Sequence, residues 1–106
     1  MKPIVDEIAK RLRDELKANV IDFEGLYVFG SQIRGDATES SDIDIVVLFG
    51  ENRFDQPKVY YHILSQMDYD YYDTMDIDVL PYTREELQRN YRFHDEVVNK
   101  GVYYGA

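Results

Sequence analysis

The sequence lacks several features that would direct an interpretation at once. It contains no cysteine, which excludes a disulfide framework and thiolate metal ligands and fits a reducing, cytoplasmic location. No stretch approaches the run of about 20 apolar residues that a membrane-spanning helix needs, and the N-terminal segment lacks the apolar run of a signal peptide. Because repeats, low-complexity tracts and linkers are also missing, we expect residues 1–106 to form one domain.

Positive charge is scarce. Lys and Arg number 12 against 21 Asp and Glu, so the formal net charge is -9. A field of that sign repels phosphate backbones, and we therefore do not expect nucleic acid as a partner. The same field attracts divalent cations and basic protein surfaces. An acidic chain that handles nucleotides would need metal ions to neutralise the phosphate charge.

The apolar pattern predicts a mixed α/β domain of the α+β kind, with a small sheet packed against helices. Apolar residues recur every four positions over residues 3–18, which predicts a helix. Runs rich in apolar and β-branched residues predict three strands, at residues 26–29, 42–49 and 76–80. A short helix should follow the first strand. The second strand should be followed by a turn at residues 50–52 and then by a helix, and Pro81 should end the third strand. Two further helices are expected, one from a capping box at Thr83 and one ending at Gly101.

Two carboxylates lie at the start of the second predicted strand. Strand geometry turns Asp42 and Asp44 to the same face, roughly 6.6 Å apart along the strand. The opposite face, which we expect to enter the core, then carries Ile43, Ile45 and Val47. Such carboxylates can converge on divalent cations, and oxygen ligands suit Mg²⁺ or Mn²⁺. The alternative is a solvated strand end. The metal site is favoured because Asp is rare in strands, and like charges beside so apolar a strand are costly without a cation.

Asp76 and Asp78 repeat the pattern in the third predicted strand. A carboxylate on a neighbouring strand would complete the metal site and could act as general base on an acceptor hydroxyl. We prefer Asp78 because it lies deeper in the strand. Asp76 is the second choice, and its alternative interpretation is an exposed strand end.

Gly30 and Ser31 occupy the predicted turn between the first strand and the short helix. Glycine lets the backbone approach a ligand closely, amides at a helix start can hold phosphate oxygens, and the serine hydroxyl adds a donor. Arg34, one turn further on, could also reach a phosphate. The alternatives are an ordinary turn for the first two residues and a surface ion pair with Asp36 or Glu39 for Arg34.

These residues form a longer pattern, in which Gly30-Ser31 and Asp42-Ile43-Asp44 are separated by ten residues. The pattern is similar to the signature of the DNA polymerase beta-like nucleotidyltransferase superfamily. The full string GSQIRGDATESSDIDIVV resembles the minimal nucleotidyltransferases (MNT), small domains of prokaryotes. The closing residues 96–104 are similar to the helix and short strand with which these domains end. The resemblance implies the polymerase beta-like fold.

The resemblance also implies a function. Asp42, Asp44 and Asp78 would form the metal-binding and catalytic triad, and Gly30 and Ser31 would grip a nucleoside triphosphate. The implied reaction moves a nucleoside monophosphate from ATP to a hydroxyl, uses Mg²⁺ or Mn²⁺, and releases pyrophosphate. Minimal nucleotidyltransferases are often paired with HEPN toxins and act as antitoxins that adenylylate a toxin tyrosine. A HEPN-type toxin is therefore the expected partner.

Two other functions stay open. A non-catalytic antitoxin would act by binding its partner alone, but it would have no need of three carboxylates. A small-molecule nucleotidyltransferase, as in antibiotic resistance, usually carries a second domain for its acceptor, for which we expect 106 residues to leave no room. Tyr69, Tyr71 and Tyr72 form either an amphipathic helix end or a partner-binding surface. The sequence is also compatible with an oligomer.

Overall fold

A computed structural model describes residues 1–51 and 56–106 and confirms the mixed α/β class. The helices are α1 Pro3–Asn19, α2 Ser31–Arg34, α3 Pro57–Asp70, α4 Arg84–Arg89 and α5 Tyr91–His94, followed by a π-helical turn, Asp95–Asn99. The strands are β1 Phe23–Phe29, β2 Ile43–Phe49, β3 Ile77–Thr83 and β4 Val102–Gly105. The end of the predicted turn 50–52 lies outside the described residues. Within them, no helix combines the length and the apolar character needed to cross a bilayer.

The four strands form one mixed sheet in the order β3-β2-β1-β4. β1 runs antiparallel to β2 and β4, whereas β2 and β3 are parallel and are connected through α3. Phe29, at the end of β1, pairs with Asp44 near the start of β2. Asp44 in turn pairs with Asp78 near the start of β3. The topology therefore gathers the end of β1 and the starts of β2 and β3 at one end of the sheet.

The larger hydrophobic cluster lies between α1, α3 and one face of the sheet. The four-residue repeat predicted for the first helix is confirmed, because Ile8, Leu12 and Leu16 are fully buried. Pro3 occupies the first turn, where its missing N–H has no partner to lose. Most helical stability in proteins comes from such packing of an apolar face. α1 and α3 therefore form one helical layer, which packs against one face of the sheet.

The opposite face of the sheet carries a smaller hydrophobic cluster. Its buried members are Phe29, Val46, Leu48, Leu87 and Val97. β2 contributes to both faces: Ile43, Ile45 and Val47 enter the larger cluster, as predicted. By the alternation of a strand, Asp44 shares its face with Val46 and Leu48. Asp44 therefore lies where the smaller cluster meets the end of the sheet.

Two strands are longer than predicted. β1 begins at Phe23 rather than at residue 26, because a register shift near Gly25, whose φ is 123°, lets the pairing with β2 continue. β3 runs through Pro81 to Thr83, so the prediction that Pro81 closes the strand is wrong. β3 lies at the edge of the sheet, where a missing N–H need not cost a bond to a neighbouring strand.

The C-terminal elements follow the prediction with one difference. The capping box is confirmed: Thr83 Oγ1 accepts the N–H of Glu86 at 3.2 Å, and Glu86 Oε1 accepts the N–H of Thr83 at 3.0 Å. The last helical segment begins at Tyr91, slightly earlier than predicted, and becomes π-helical before it ends ahead of Gly101. The short closing strand that the resemblance implied is β4, which pairs with β1.

Candidate active site

Gly30 connects β1 to α2. Its φ of 81° lies in the left-handed region that favours glycine, and its carbonyl accepts the N–H groups of Ile33 and Arg34, both at 3.0 Å. A Cβ at this position would lie 2.5 Å from Oδ2 of Asp44. Conformation and contact therefore both require glycine, since only a residue without a side chain lets α2 begin against this carboxylate.

Three carboxylates lie at this end of the sheet. Asp44 is half-buried, whereas Asp42 and Asp78 are exposed. Asp42 lies just before β2, which begins one residue later than predicted. Asp44 and Asp78 are register partners in the parallel pair β2–β3. The structure thus brings together the three carboxylates that the sequence singled out.

The electrostatic environment of Asp44 reflects this grouping. Burial raises the pKa of its carboxyl, and the negative charges of Asp78 and Asp42 raise that pKa further. The Arg34 guanidinium acts in the opposite direction. Burial and like charges both disfavour the ionised form of a carboxyl. A cation at this position would relieve the repulsion.

The chemistry of these donors fits a hard divalent cation. Carboxylate oxygens suit Mg²⁺ and Mn²⁺, and Mg²⁺ usually keeps several waters while it binds one or two carboxylates and substrate phosphates. Within residues 1–51 and 56–106, no three Asp, Glu, His or Cys side chains are already arranged to hold one metal ion. The residues therefore fit a site that substrate phosphates complete, rather than one closed by protein alone. The metal-binding role of Asp42, Asp44 and Asp78 stays a prediction.

Asp76 has different surroundings from Asp78. Its carbonyl accepts the N–H of Ile43 at 2.9 Å. Burial raises the pKa of Asp68, near the end of α3, and the charge of Asp76 adds to that shift. Asp44 responds to Asp78 instead. These relationships favour Asp78 over Asp76 as the third carboxylate, although the role itself is untested.

Arg34 and Ser31 occupy the two ends of α2. Arg34 Nη1 lies 2.7 Å from a carboxylate oxygen of Glu96, and its Nε lies 3.5 Å from one of Asp36. The hydrogen bond to Glu96 raises the pKa of the guanidinium. The pair with Asp36 is one of the predicted alternatives. Glu96 was missed, because a partner 62 residues away leaves no local signal in the sequence. Ser31 is partly exposed beside Gly30.

Gln32 is a second residue of this region that the sequence pattern did not single out. Its side chain is only 4% exposed and lies between α2 and the segment that leads to Asp42. Glutamine is mostly a surface residue. Its burial depends on tertiary packing, so no sequence signal could have identified it.

The predicted tyrosine surface is present only in part. Tyr69 and Tyr72 are exposed, and Tyr72 borders an open cleft of about 260 Å³ that Asp42 also lines. Tyr71 instead packs against the larger hydrophobic cluster, and its hydroxyl donates to Glu7 at 3.3 Å. Tyr71 is therefore only partly available for a protein contact, because its ring joins α3 to α1, and the contact surface itself stays a prediction.

The arrangement of glycine turn and carboxylates has counterparts in a known family. Residues 5–104 match the family model of the nucleotidyltransferase domain. The chain belongs to this family. The membership that the motif of Gly30-Ser31 and Asp42-Ile43-Asp44 indicated is thereby confirmed.

One curated relative of this nucleotidyltransferase domain is a protein of Methanocaldococcus jannaschii, provisionally named a protein adenylyltransferase. It is 34% identical over 68 residues, and the match covers 64% of this chain. The chain spans 63% of the length of that relative.

Two solved structures share the fold of this nucleotidyltransferase domain. One is a chain of a toxin-antitoxin complex with AMP-PNP, with a TM-score of 0.63 and 22% identity over 95% of this chain and 73% of that chain. The other belongs to the complex of a tri-AMPylated HEPN toxin from Shewanella oneidensis with an MNT antitoxin. Its TM-score is 0.58, with 19% identity over 96% of this chain and 73% of that chain. At these identities the likeness is one of fold.

Proposed function

We propose that this chain is a metal-dependent nucleotidyltransferase that moves AMP from ATP to a hydroxyl of a partner protein, and that it acts as an antitoxin that adenylylates a HEPN-type toxin. The observation that carries the proposal is the contact of the Gly30 backbone with Asp44, which lies beside Asp78. At this place a glycine, which has no side chain to block a ligand, lies beside carboxylates whose mutual repulsion favours a bound cation. Membership of the nucleotidyltransferase family supports the same reaction.

Each site residue has a distinct role in the proposed reaction. Asp42, Asp44 and Asp78 would hold Mg²⁺ or Mn²⁺, which when bound neutralises the triphosphate and polarises the reacting phosphate. Ser31 donates its hydroxyl to a phosphate oxygen. Arg34 reaches a phosphate once it leaves its carboxylate partners. The divalent cation and Arg34 would together offset the negative charge of the carboxylates, so that an anionic substrate can bind.

The proposed reaction is an in-line displacement at the α-phosphorus of ATP. The acceptor oxygen forms a bond to that phosphorus, the bond to the oxygen that bridges to the β-phosphate breaks, and pyrophosphate leaves. The hydroxyl proton passes to a carboxylate. Asp78 is the candidate base because its side chain is exposed, whereas its register partner Asp44 is half-buried. The protein contributes positioning and charge neutralisation rather than a covalent intermediate.

Several observations support a protein as the acceptor. The Methanocaldococcus jannaschii relative is provisionally named a protein adenylyltransferase, and one structural neighbour comes from a complex with a tri-AMPylated HEPN toxin. The net charge of -9 favours the approach of a basic protein surface. Tyr69 and Tyr72 are exposed and suit a protein contact. Toxin and antitoxin would meet in the cytoplasm.

Pyrophosphate release tests this function. The purified chain with ATP, Mg²⁺ and the HEPN-type protein of a neighbouring gene should release pyrophosphate, and the Asp42→Asn/Asp44→Asn double variant should not. Asp14→Asn changes an exposed carboxylate of α1 and should keep the wild-type rate. Binding of the partner without release would favour a non-catalytic antitoxin. Release that requires a small hydroxylated molecule in place of the protein would favour a small-molecule transferase.

A further inference from the structure

Gln32 is the only buried amide or charged side chain among the described residues. It belongs to α2, the helix whose residues Ser31 and Arg34 carry the proposed phosphate contacts. A buried amide is unfavourable unless its polar atoms find hydrogen-bond partners. The partners of Gln32 therefore indicate why a polar residue stands at this position.

The side-chain nitrogen of Gln32 lies close to two backbone carbonyls. Its Nε2 donates to the carbonyl oxygen of Ser41 at 3.3 Å and lies 3.4 Å from that of Asp42. It also lies 4.0 Å from the sulfur of Met75, just before β3. Carbonyls only accept hydrogen bonds, so an amide N–H can satisfy this position, and an isosteric methionine or a carboxylate cannot.

The backbone at Asp42 has no strand ladder of its own to hold it. β2 begins at Ile43, and the chain between α2 and Ser41 forms no helix or strand, only a turn in which the Ser41 N–H donates to the carbonyl of Thr38 at 3.2 Å. The first ladder contact is the N–H of Ile43, which donates to the carbonyl of Asp76 at 2.9 Å. The carbonyls just before this contact are the ones that Gln32 engages.

We infer that Gln32 is a positioning residue, which couples α2 to the backbone of Asp42 and thereby sets where the Asp42 carboxylate stands relative to Ser31 and Arg34. The inference rests on the proposed function for its consequence, although not for the contact itself. Gln32 does not touch the reacting atoms. It acts through Asp42, in the way that residues behind a metal ligand fix the ligand's direction.

The test compares Gln32→Met with wild type. Methionine keeps the length and apolar stem of the side chain and removes the N–H donor. Two readouts are measured: Mn²⁺ affinity in the presence of AMP-PNP, by electron paramagnetic resonance, and amide hydrogen exchange at Ser41 and Ile43 without ligand. We expect Mn²⁺ affinity to fall about tenfold or more, and exchange at these two amides to become about tenfold faster. Exchange in the core of α1 should stay at the wild-type rate.

Two further variants make the result specific. Gln88→Met makes the same change at an exposed position of α4 and should leave both readouts unchanged. Gln32→Asn keeps an amide but is one methylene too short to reach the carbonyls. It should lose Mn²⁺ affinity as Gln32→Met does, and it replaces Gln32→Met if that variant fails to fold.

The outcomes separate this inference from the proposed function. Wild-type Mn²⁺ affinity and wild-type exchange in the folded Gln32 variants would overturn it, as would a uniform rise in exchange, which would indicate only general loss of stability. If the wild-type protein binds no Mn²⁺ with AMP-PNP, the proposed function fails. The exchange at Ser41 and Ile43 then still decides whether Gln32 holds this backbone.

Discussion

Asp44 stands directly beside Asp78 in the parallel register of β2 and β3, while its Oδ2 lies against the backbone of Gly30. The pair joins a half-buried carboxylate to an exposed one. Two like charges in adjacent positions repel each other, and burial adds to the cost for Asp44. The folded protein therefore carries a local penalty that a bound cation would remove, and the first three predictions below follow from this group of residues.

The first prediction concerns pH. The folded-state pKa of Asp44 is raised above its ordinary value of 3.8. At pH values above this raised pKa, the ionised carboxylate therefore lowers the free energy of unfolding. That loss is recovered as the pH falls through the raised pKa towards 3.8. Without divalent cations, Asp44→Asn should therefore raise the Tm at pH 7 by a few degrees. The advantage should shrink as the pH approaches 3.8.

Added Mg²⁺ and AMP-PNP should reverse this order at pH 7, because ligand binding stabilises only a protein that binds it. Thermal unfolding followed by circular dichroism measures both effects, with Asp14→Asn as the control. A variant with the same Tm as wild type at every pH would contradict the penalty assigned to Asp44.

The second prediction separates backbone strain from the contact with Asp44. Gly30 and Gly35 both have positive φ, 81° and 87°, but a Cβ at Gly35 would meet nothing within 4 Å. Gly35→Ala should lose about 1–2 kcal/mol of unfolding free energy, the strain of a side chain in the αL region. Gly30→Ala should lose more, because its φ of 81° and ψ of -153° lie in a region that essentially only glycine adopts. Only Gly30→Ala should also lose binding of AMP-PNP with Mn²⁺, since its Cβ would displace the carboxylate. Urea denaturation and calorimetry measure the two effects, and equal loss of binding in both variants would rule out the contact as the cause.

Local patterns in the sequence predicted the elements that local interactions determine. The four-residue repeat of α1 and the capping box at Thr83 both depend on neighbours within one or two turns, and both are present. The alternation at Asp42, Ile43 and Asp44 predicted which side chains enter the core. The Gly30-Ser31 motif identified the family because its spacing to Asp42 is long and specific.

Other features depend on how distant segments pack. The register that puts Asp78 beside Asp44 is set by the whole parallel pair, and the sequence alone left Asp76 as an alternative. The ion pair of Arg34 with Glu96 joins residues 62 positions apart. The burial of Gln32 follows from the path of the chain between α2 and β2. None of these relationships has a local signal from which it could have been predicted.

The third prediction distinguishes the two carboxylates of β3. Asp78→Asn should lower the rate of AMP transfer by about two orders of magnitude or more, because each lost ligand of a catalytic metal costs several kcal/mol of transition-state stabilisation. Asp76→Asn should keep most of the activity, since Asp76 acts on Asp68 rather than on Asp44. Single-turnover rates of the two variants provide the measurement. An inactive Asp76→Asn with an active Asp78→Asn would mean that the third carboxylate is misassigned.

The fourth prediction concerns the ion pair between Arg34 and Glu96. Arg34 must leave Glu96 to reach a phosphate, and an exposed pair of this kind is weak enough to break when a phosphate binds. Glu96→Gln should therefore tighten AMP-PNP binding in the presence of Mg²⁺ by about two- to fivefold. Glu85→Gln, which removes the partner of Arg89 on α4, should leave the affinity unchanged. Weaker binding by Glu96→Gln would show that Glu96 orients Arg34 for the substrate instead of competing with it.

Transfer of labelled AMP tests the central claim most directly. The chain is incubated with Mg²⁺, the HEPN-type protein of a neighbouring gene, and ATP that carries the radiolabel at either the α- or the γ-phosphorus. The account predicts that the α-label appears on a tyrosine of the partner protein, that the γ-label does not, and that the Asp42→Asn/Asp44→Asn variant transfers neither. Transfer of the γ-label, or transfer of the α-label that persists in the double variant, would contradict it.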